Sequence, residues 1–362
     1  MSSPSPVVVE ALGITLGIDV AALDPPRRAA VRAAWSGARA PRGTPTRAIV
    51  TPTASLDPGA MLAALSSAVT MRAIEERRGE LWMLHAAGVA GADGGVVVLV
   101  GASGAGKTTA IRVLASAAGY VSDEAVGVAV TGEVQPYRKP LSLITARVAH
   151  KVQRSPDELG LGPLPGGGLR LARIVLLDRR TGGGAARLVP VPVSEAIAAL
   201  AAQSSGLVRL PRPVATMAEL IERTGGVLRA EYTEARELAV LVREMLDAEA
   251  LPPTTAGIEA APPPETTRAR AAAPVYDRAD AVDARGLSDD TVAVLTANPD
   301  GSGMLRVLAG VGPAVWDAAR GATHDDLVAA VHARFDCPDP RSVTDAAVAS
   351  LVDAGLLRIT GA

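Results

Sequence analysis

Residues 95–109 read Gly95-Val96-Val97-Val98-Leu99-Val100-Gly101-Ala102-Ser103-Gly104-Ala105-Gly106-Lys107-Thr108-Thr109, and this stretch decides the fold class. Val96–Val100 is a continuous apolar run bounded by glycines, which suits a strand buried on both faces. Gly101–Thr108 fits G-x-x-x-x-G-K-[ST] without a gap, and Lys107–Ala118 is patterned as a helix. Strand, Gly-rich loop and helix together make an anion cradle. Glycines let successive N–H groups turn inward, and the helix N-terminus adds partial positive charge. Lys107 is then set to meet β- and γ-phosphate oxygens, and Thr108 to place its hydroxyl on Mg²⁺. Gly101 through Thr109 are therefore the candidate phosphate-binding residues. The loop specifies a nucleoside triphosphate and leaves the reaction open.

The residues that bear on the reaction lie on either side. Asp123 and Glu124 follow Gly119–Ser122, the strand expected after the P-loop helix. Carboxylates at that end of a strand face the γ-phosphate. One could hold Mg²⁺ through water and the other accept a proton from an attacking hydroxyl; the plainer alternative is a pair of solvated turn carboxylates. His85 sits in the expected strand Leu81–Ala90, either as a supporting polar group or as a satisfied core histidine. Lys139 opens a basic stretch that continues with Arg147, His150, Lys151 and Arg154, either site cations or a solvated strip. Lysine is scarce: Lys107, Lys139 and Lys151 are the three in the chain, against 33 arginines. The survivors are candidates for positions that need a compact ammonium.

Around this centre the 362 residues divide into four segments, 1–79, 80–250, 251–274 and 275–362. In the first, Val7–Glu10 and Ala48–Thr51 read as short strands. Asp57–Glu76 reads as a helix, with Asp57 as N-cap and Pro58 at its first position. In the second, Ala125–Val130 reads as a strand. Ala172–Leu177 and Arg187–Val191 read as a pair joined by the Thr181–Gly184 turn, and Ser194 caps a helix to about Ala202. Gln153–Gly168, with three prolines and many glycines, reads as a mobile loop or lid. The third segment, Pro- and Ala-rich, reads as an extended tether. The fourth reads as a hairpin around Asn298–Gly303, helices over Pro313–Ala319, Thr323–Phe335 and Ser342–Ala354, and a closing strand Leu356–Ile359. Alternating strands and helices in the second segment imply an α/β sheet.

Leu84-His85-Ala86-Ala87-Gly88-Val89-Ala90, the P-loop, and Gly119-Tyr120-Val121-Ser122-Asp123-Glu124-Ala125-Val126-Gly127-Val128 together resemble the HPr kinase/phosphorylase superfamily. The resemblance spans roughly Gly79–Leu246. It implies a P-loop kinase core related to phosphoenolpyruvate carboxykinase, using ATP and Mg²⁺, with Thr108 and Asp123 on the metal. It also implies that Asp123 is the base toward a Ser or Thr hydroxyl of a peptide or protein, with Glu124, His85 and Lys139 in the catalytic group. Glu124 stands where that family usually has a second Asp, and the Gly/Pro-rich Gln153–Gly168 stands in place of the family's later signature loop, so the phosphorylase activity is not implied. Val311–Trp316, Thr323–Val328 and Val348–Leu357 resemble a PqqD-like domain, a small α+β winged-helix-like fold that binds leader segments of precursor peptides by strand addition. The combined expectation is ATP-dependent phosphoryl transfer in ribosomal peptide modification, in a chain that could oligomerise. The alternative is a nucleotide-binding peptide-recognition protein without kinase activity.

Composition sets the outer limits. Net charge is −2, which gives no global pull toward nucleic acid, and residues 275–362 carry thirteen Asp, no Glu and seven Arg. The most apolar stretch, Leu84–Val100, is interrupted by His85, Asp93 and several glycines, so no membrane span is expected. One cysteine, Cys337, excludes an internal disulfide and fits a reducing compartment. The start, Met1–Gly13, lacks a basic region before an apolar run, so no secretory signal is expected and the reading is cytoplasmic.

Overall fold

A computed structural model describes residues 4–41, 43–102, 106–143, 151–182, 184–247 and 274–361. Ser103, Gly104, Ala105, Arg147, His150, Gly183 and residues 251–273 of the expected tether lie outside the described residues. The chain is mixed α/β, with several sheets. Among the described residues no helix is long and apolar enough to cross a membrane. Two compact units are present: Met1–Val191 with Ala199–Pro211 and Glu219–Pro253, and Thr254–Ala362 with Pro192–Ala198 and Arg212–Ala218.

The first unit is built on a six-stranded sheet. Its order is Arg187–Val191, Val227–Tyr232, Arg170–Arg179, Gly95–Val100, Ala86–Ala90 and Gly119–Ser122. Gly95–Val100, Arg170–Arg179 and Val227–Tyr232 run parallel, Arg187–Val191 and Ala86–Ala90 run antiparallel to them, and Gly119–Ser122 returns to their direction. Gly95–Val100 is buried along its whole length, as the unbroken apolar run requires. One face packs Val97 and Leu99 against Ala110, Ile111 and Leu114 of the helix Lys107–Leu114, and against Leu238 and Val242 of the helix Ala235–Asp247. Ala172–Leu177 and Arg187–Val191 are not partners, contrary to the hairpin expected from their spacing. Val227–Tyr232 enters between them, parallel to one and antiparallel to the other.

The expected strand Leu81–Ala90 is two strands. Trp82–Leu84 joins a four-stranded sheet with Ser204–Ser205, Val126–Val128 and Val134–Gln135, and Ala86–Ala90 joins the six-stranded sheet. His85 is the break. Its N–H donates to the Gln203 carbonyl at 2.7 Å instead of entering a ladder.

Val7–Ala11 and Ile14–Ile18 form a hairpin extended by Ala48–Val50. The turn residues Leu12 and Gly13 have φ of 50° and 76°, the left-handed pair that matches strand twist in a two-residue hairpin. Ile14–Ile18 escapes sequence reading because Leu-Gly is not an Asn-Gly signal; Leu12 is held there by complete burial. The helix Pro58–Glu76 begins as expected, with the Asp57 carboxylate accepting from Gly59 and Ala60 N–H at 3.1 Å each. Its Met61, Leu65 and Val69 share a core with Leu16, Ile18 and Trp35.

The segment expected as a lid is a bonded strap. Val152–Arg154 pairs with Leu141–Leu143, Leu161 is buried, and the Gly162 N–H donates to the Ala115 carbonyl at 2.7 Å. That bond, with the turn needed to enter Gly119–Ser122, stops the P-loop helix at Leu114 instead of Ala118.

In the second unit Asp283–Gly286, Val292–Ala297 and Gly303–Leu308 form one antiparallel sheet. Val275–Arg278 lies between Arg320–Thr323 and Leu357–Thr360 in another. The helices Gly312–Ala318, His324–Arg334 and Pro340–Asp353 pack Val315, Trp316, Leu327, Val331 and Leu351 into one core. Thr323 and Asp326 close a reciprocal capping box. Asp283 accepts from the Val214 and Ala215 N–H groups at the start of the helix Pro213–Arg223.

A methyl group on Gly162 would sit 2.3 Å from the Ala118 carbonyl oxygen, a backbone atom that cannot step aside. Gly162→Ala is expected to destabilise the chain by about 1–3 kcal/mol in urea unfolding. Gly166→Ala, with open space around it, is the control and is expected to unfold like the parent.

Candidate active site

Strand direction gathers the candidate residues at one edge of the sheet. Val100 lies opposite Ala86 on one side and opposite Leu176 on the other, so Gly101, His85 and Arg179 emerge together. Gly119–Ser122 runs antiparallel to Ala86–Ala90, hence in the same direction as Gly95–Val100, and delivers Asp123 and Glu124 to that edge. Gly106 precedes the P-loop helix with φ of 87°, a conformation that favours glycine.

These residues surround a cavity of about 510 Å³. His85, Gly106, Lys107, Thr108, Thr109, Asp123, Glu124 and Lys139 all line it. Gly101 and Ala102 meet it through Lys107, whose ammonium donates to their carbonyls at 2.5 and 3.2 Å. All three lysines of the chain reach this one cavity, since Lys151 lines it as well. The basic stretch is therefore not a uniform solvated strip. Lys139 is buried at 1% side-chain exposure, Lys151 lies on the cavity wall, and Arg154 pairs outside it with Glu158.

The two carboxylates occupy different environments. Asp123 has a side chain only 3% exposed. It accepts from the Tyr120 hydroxyl at 3.0 Å and from the Thr108 hydroxyl at 3.4 Å, and Lys139 stands 3.7 Å away. Glu124 is 37% exposed and faces the cavity, with Lys139 at 3.0 Å and the Thr70 hydroxyl at 3.3 Å. Lys139 also donates to the Pro140 carbonyl at 2.9 Å. Thr70 shares a 3.0 Å hydrogen bond with the Tyr137 hydroxyl.

Burial alone would lower the affinity of the Lys139 ammonium for its proton, but the facing charges of Asp123 and Glu124 outweigh it and the pKa is raised. Burial holds the Tyr120 hydroxyl well above its ordinary value, and the adjoining Asp123 charge adds to this, so Tyr120 stays a donor. Lys107 is lowered by burial. His85, half-buried, is lowered by burial and then by the Lys107 charge, which keeps its imidazole neutral above its ordinary value of 6.5.

Sequence reading missed the support behind the site. Tyr120, Tyr137, Ser66 and Thr70 carry no motif, and the last two come from the helix Pro58–Glu76, remote in sequence. Arg112 and Arg179 line the cavity without having been singled out. Arg112 had a weak signal, lying four residues after Thr108 on the same helical face. No family model matches the chain, and no curated protein matches it.

Two expectations follow from these environments. Lys139→Met strands a buried carboxylate and is expected to cost about 3–5 kcal/mol in urea unfolding; adding Asp123→Asn is expected to restore part of the loss, which a double-mutant cycle reads. The His85 imidazole is expected to titrate below 6.5 by NMR in the folded chain. Because the unfolded chain takes up that proton first, its contribution to stability is present above 6.5 and is lost as pH falls through the folded value. Lys107→Ala is expected to move the titration upward.

Proposed function

We propose that the chain is an ATP-dependent kinase of the HPr-kinase-like class, transferring a phosphoryl group to a Ser or Thr hydroxyl of a peptide. The observation that carries the reading is the meeting of Lys107, Thr108 and the Asp123–Glu124 pair in one cavity at one sheet edge. In this reading the core is a P-loop kinase fold, and the acidic pair is the chemistry that a phosphate cradle alone lacks.

The residues divide the work by environment. Lys107 gives up its carbonyl partners to meet the β- and γ-phosphates, and Gly101 through Thr109 cradle them. The Thr108 hydroxyl and the Asp123 carboxylate, 3.4 Å apart, suit a hard cation that keeps several waters and borrows phosphate oxygens. Mg²⁺ held there supplies neutralisation of the charge on the transferring group. The expectation that Asp123 is the base is amended. With donors from Tyr120, Thr108 and Lys139 around it, Asp123 serves as the metal-side carboxylate. Glu124 faces the cavity and takes the proton. The acceptor oxygen forms a bond to the γ-phosphorus, the bond to the β–γ bridging oxygen breaks, and ADP leaves. Lys139, 3.7 Å from Asp123 and 3.0 Å from Glu124, orients both carboxylates, and His85, neutral, adds a polar wall without further charge.

In the same reading the second unit is the PqqD-like peptide-binding module. Its support is the outer strand Gly303–Leu308, which pairs on one side with Val292–Ala297 and carries the exposed Met304. An extended peptide could add there as a further strand.

Transfer of ³²P from labelled ATP to a precursor peptide tests the reading. Lys107→Ala is expected to abolish ATP binding. Glu124→Gln is expected to lower transfer at least about a hundredfold with ATP binding intact. Asp123→Asn is expected to weaken the Mg²⁺-dependent part of ATP affinity as well as transfer. ATP binding without transfer to any peptide would leave a recognition protein in place of a kinase.

A further inference from the structure

The cavity carries more positive charge than its acidic pair and its phosphate cradle use. Five cationic side chains line it, Lys107, Arg112, Lys139, Lys151 and Arg179, against the two carboxylates Asp123 and Glu124. Lys139 is committed to those carboxylates, and Lys107 sits on the P-loop carbonyls where phosphates enter. Arg112, Lys151 and Arg179 remain. All three are exposed, and none forms an ion pair with a described carboxylate.

Their neighbours behave differently. Arg180 and Arg187 both bond Glu231, Arg138 pairs with Asp157, and Arg154 with Glu158. Arg179 is anchored through Nε to the Thr233 carbonyl at 3.1 Å, and its two terminal nitrogens have no described partner. Lys151 adjoins the strand Val152–Arg154, which the Leu141–Leu143 ladder and the buried Gln153 side chain on Ser142 hold in place. It is also one of only three lysines in a chain that elsewhere uses arginine.

Like charges converging on one rim repel one another unless a ligand supplies the opposite sign. In the phosphoryl-transfer reading Mg²⁺ and Lys107 would meet the β- and γ-phosphates, and the rim is assigned to the second substrate. Enclosed pockets suit small anions, whereas three exposed cations around an open rim suit a ligand that continues into solvent. We propose that Arg112, Lys151 and Arg179 form an acceptor subsite that selects a Ser or Thr hydroxyl set within an acidic peptide segment. The proposal rests on the phosphoryl-transfer reading above. The guanidinium groups grip carboxylates in pairs of hydrogen bonds, and Lys151 acts as a point charge that adapts to the segment. The same charges exclude basic segments, so the subsite selects by repulsion as well as by attraction.

Binding of labelled short peptides, with Ala in place of the acceptor Ser, tests this without requiring transfer. Peptides flanked by Asp and Glu, by Asn and Gln, or by Lys are titrated by fluorescence anisotropy into the full chain with Mg²⁺ and a non-hydrolysable ATP analogue. The acidic peptide is expected to bind about tenfold tighter than the neutral one and the Lys-flanked peptide weakest, with the spread narrowing as salt is raised. Arg179→Ala with Lys151→Ala is expected to erase the spread at unchanged nucleotide affinity. Lys151→Glu with Arg179→Glu is expected to reverse the order of the peptides. Equal binding of the three peptides overturns the subsite. So does nucleotide affinity that falls in step with peptide affinity, since the rim would then belong to the nucleotide. Competition by citrate as effective as that of the acidic peptide overturns the peptide class. An intact acidic preference with no ³²P transfer keeps the subsite and removes the kinase reading alone.

Discussion

One buried ammonium organises the first unit. Lys139 cannot lie at 1% exposure without counter-charge, and Asp123 and Glu124 cannot converge without a cation between them. Satisfying that cluster draws in parts of the chain that sequence keeps far apart. The helix Pro58–Glu76 brings Ser66 within 3.5 Å of the ammonium and the Thr70 hydroxyl to Glu124. Tyr137 sits in the same core as Met61, Leu65 and Val69 while bonding Thr70. The N-terminal segment is thus the wall against which the acidic pair is held, and its apolar core and the polar site cannot be varied independently. Replacing the cluster with hydrophobic side chains could give an equally stable protein. Its retention is better understood as positioning of two carboxylates than as a source of stability.

Some of this was readable in advance because the signals are local. The P-loop strand is a buried apolar run, the loop has its glycines and Lys107 at fixed spacing, and Asp57 and Pro58 start a helix by capping chemistry confined to four residues. The chain's lysine scarcity carried information of the same kind. A composition that leaves three lysines among 36 cations singled out Lys107, Lys139 and Lys151, and all three line one cavity. What stayed hidden is non-local. Nothing near Arg187–Val191 says that Val227–Tyr232 will separate it from Arg170–Arg179. The two-residue hairpin turn at Leu12 and Gly13 lacks its usual residues because burial of Leu12 compensates for the strained φ. The strap 153–168 looked loose from its glycines and prolines, whereas Gly162 is there because only a residue without Cβ can pass the Ala118 carbonyl.

His85 shows how a break in regular structure becomes useful. A continuous strand from Leu81 to Ala90 would bury that position in a ladder with its side chain fixed by alternation. Division into Trp82–Leu84 and Ala86–Ala90 lets the two halves serve different sheets, and the freed residue lands beside Gly101 at the edge where the phosphates are expected. Its neutrality then matters. A cavity already holding five cationic side chains gains a polar surface there without a sixth charge.

The placement of Val227–Tyr232 in the interior of the sheet also constrains how the chain is made. Synthesis proceeds from the N-terminus, and every other strand of the six is complete before this one leaves the ribosome. Until then Arg170–Arg179, carrying Ile174, Val175 and Leu176, has one side unpaired, and Arg187–Val191 has nothing to join. A nascent chain in that state displays an apolar strand edge of the kind that pairs with other chains. Closure requires a late insertion between two segments already present, a long-range pairing whose loop entropy is met before any contact rewards it. The lateral side of Arg170–Arg179 is therefore the part of the six-stranded sheet that stays unpaired longest during biogenesis.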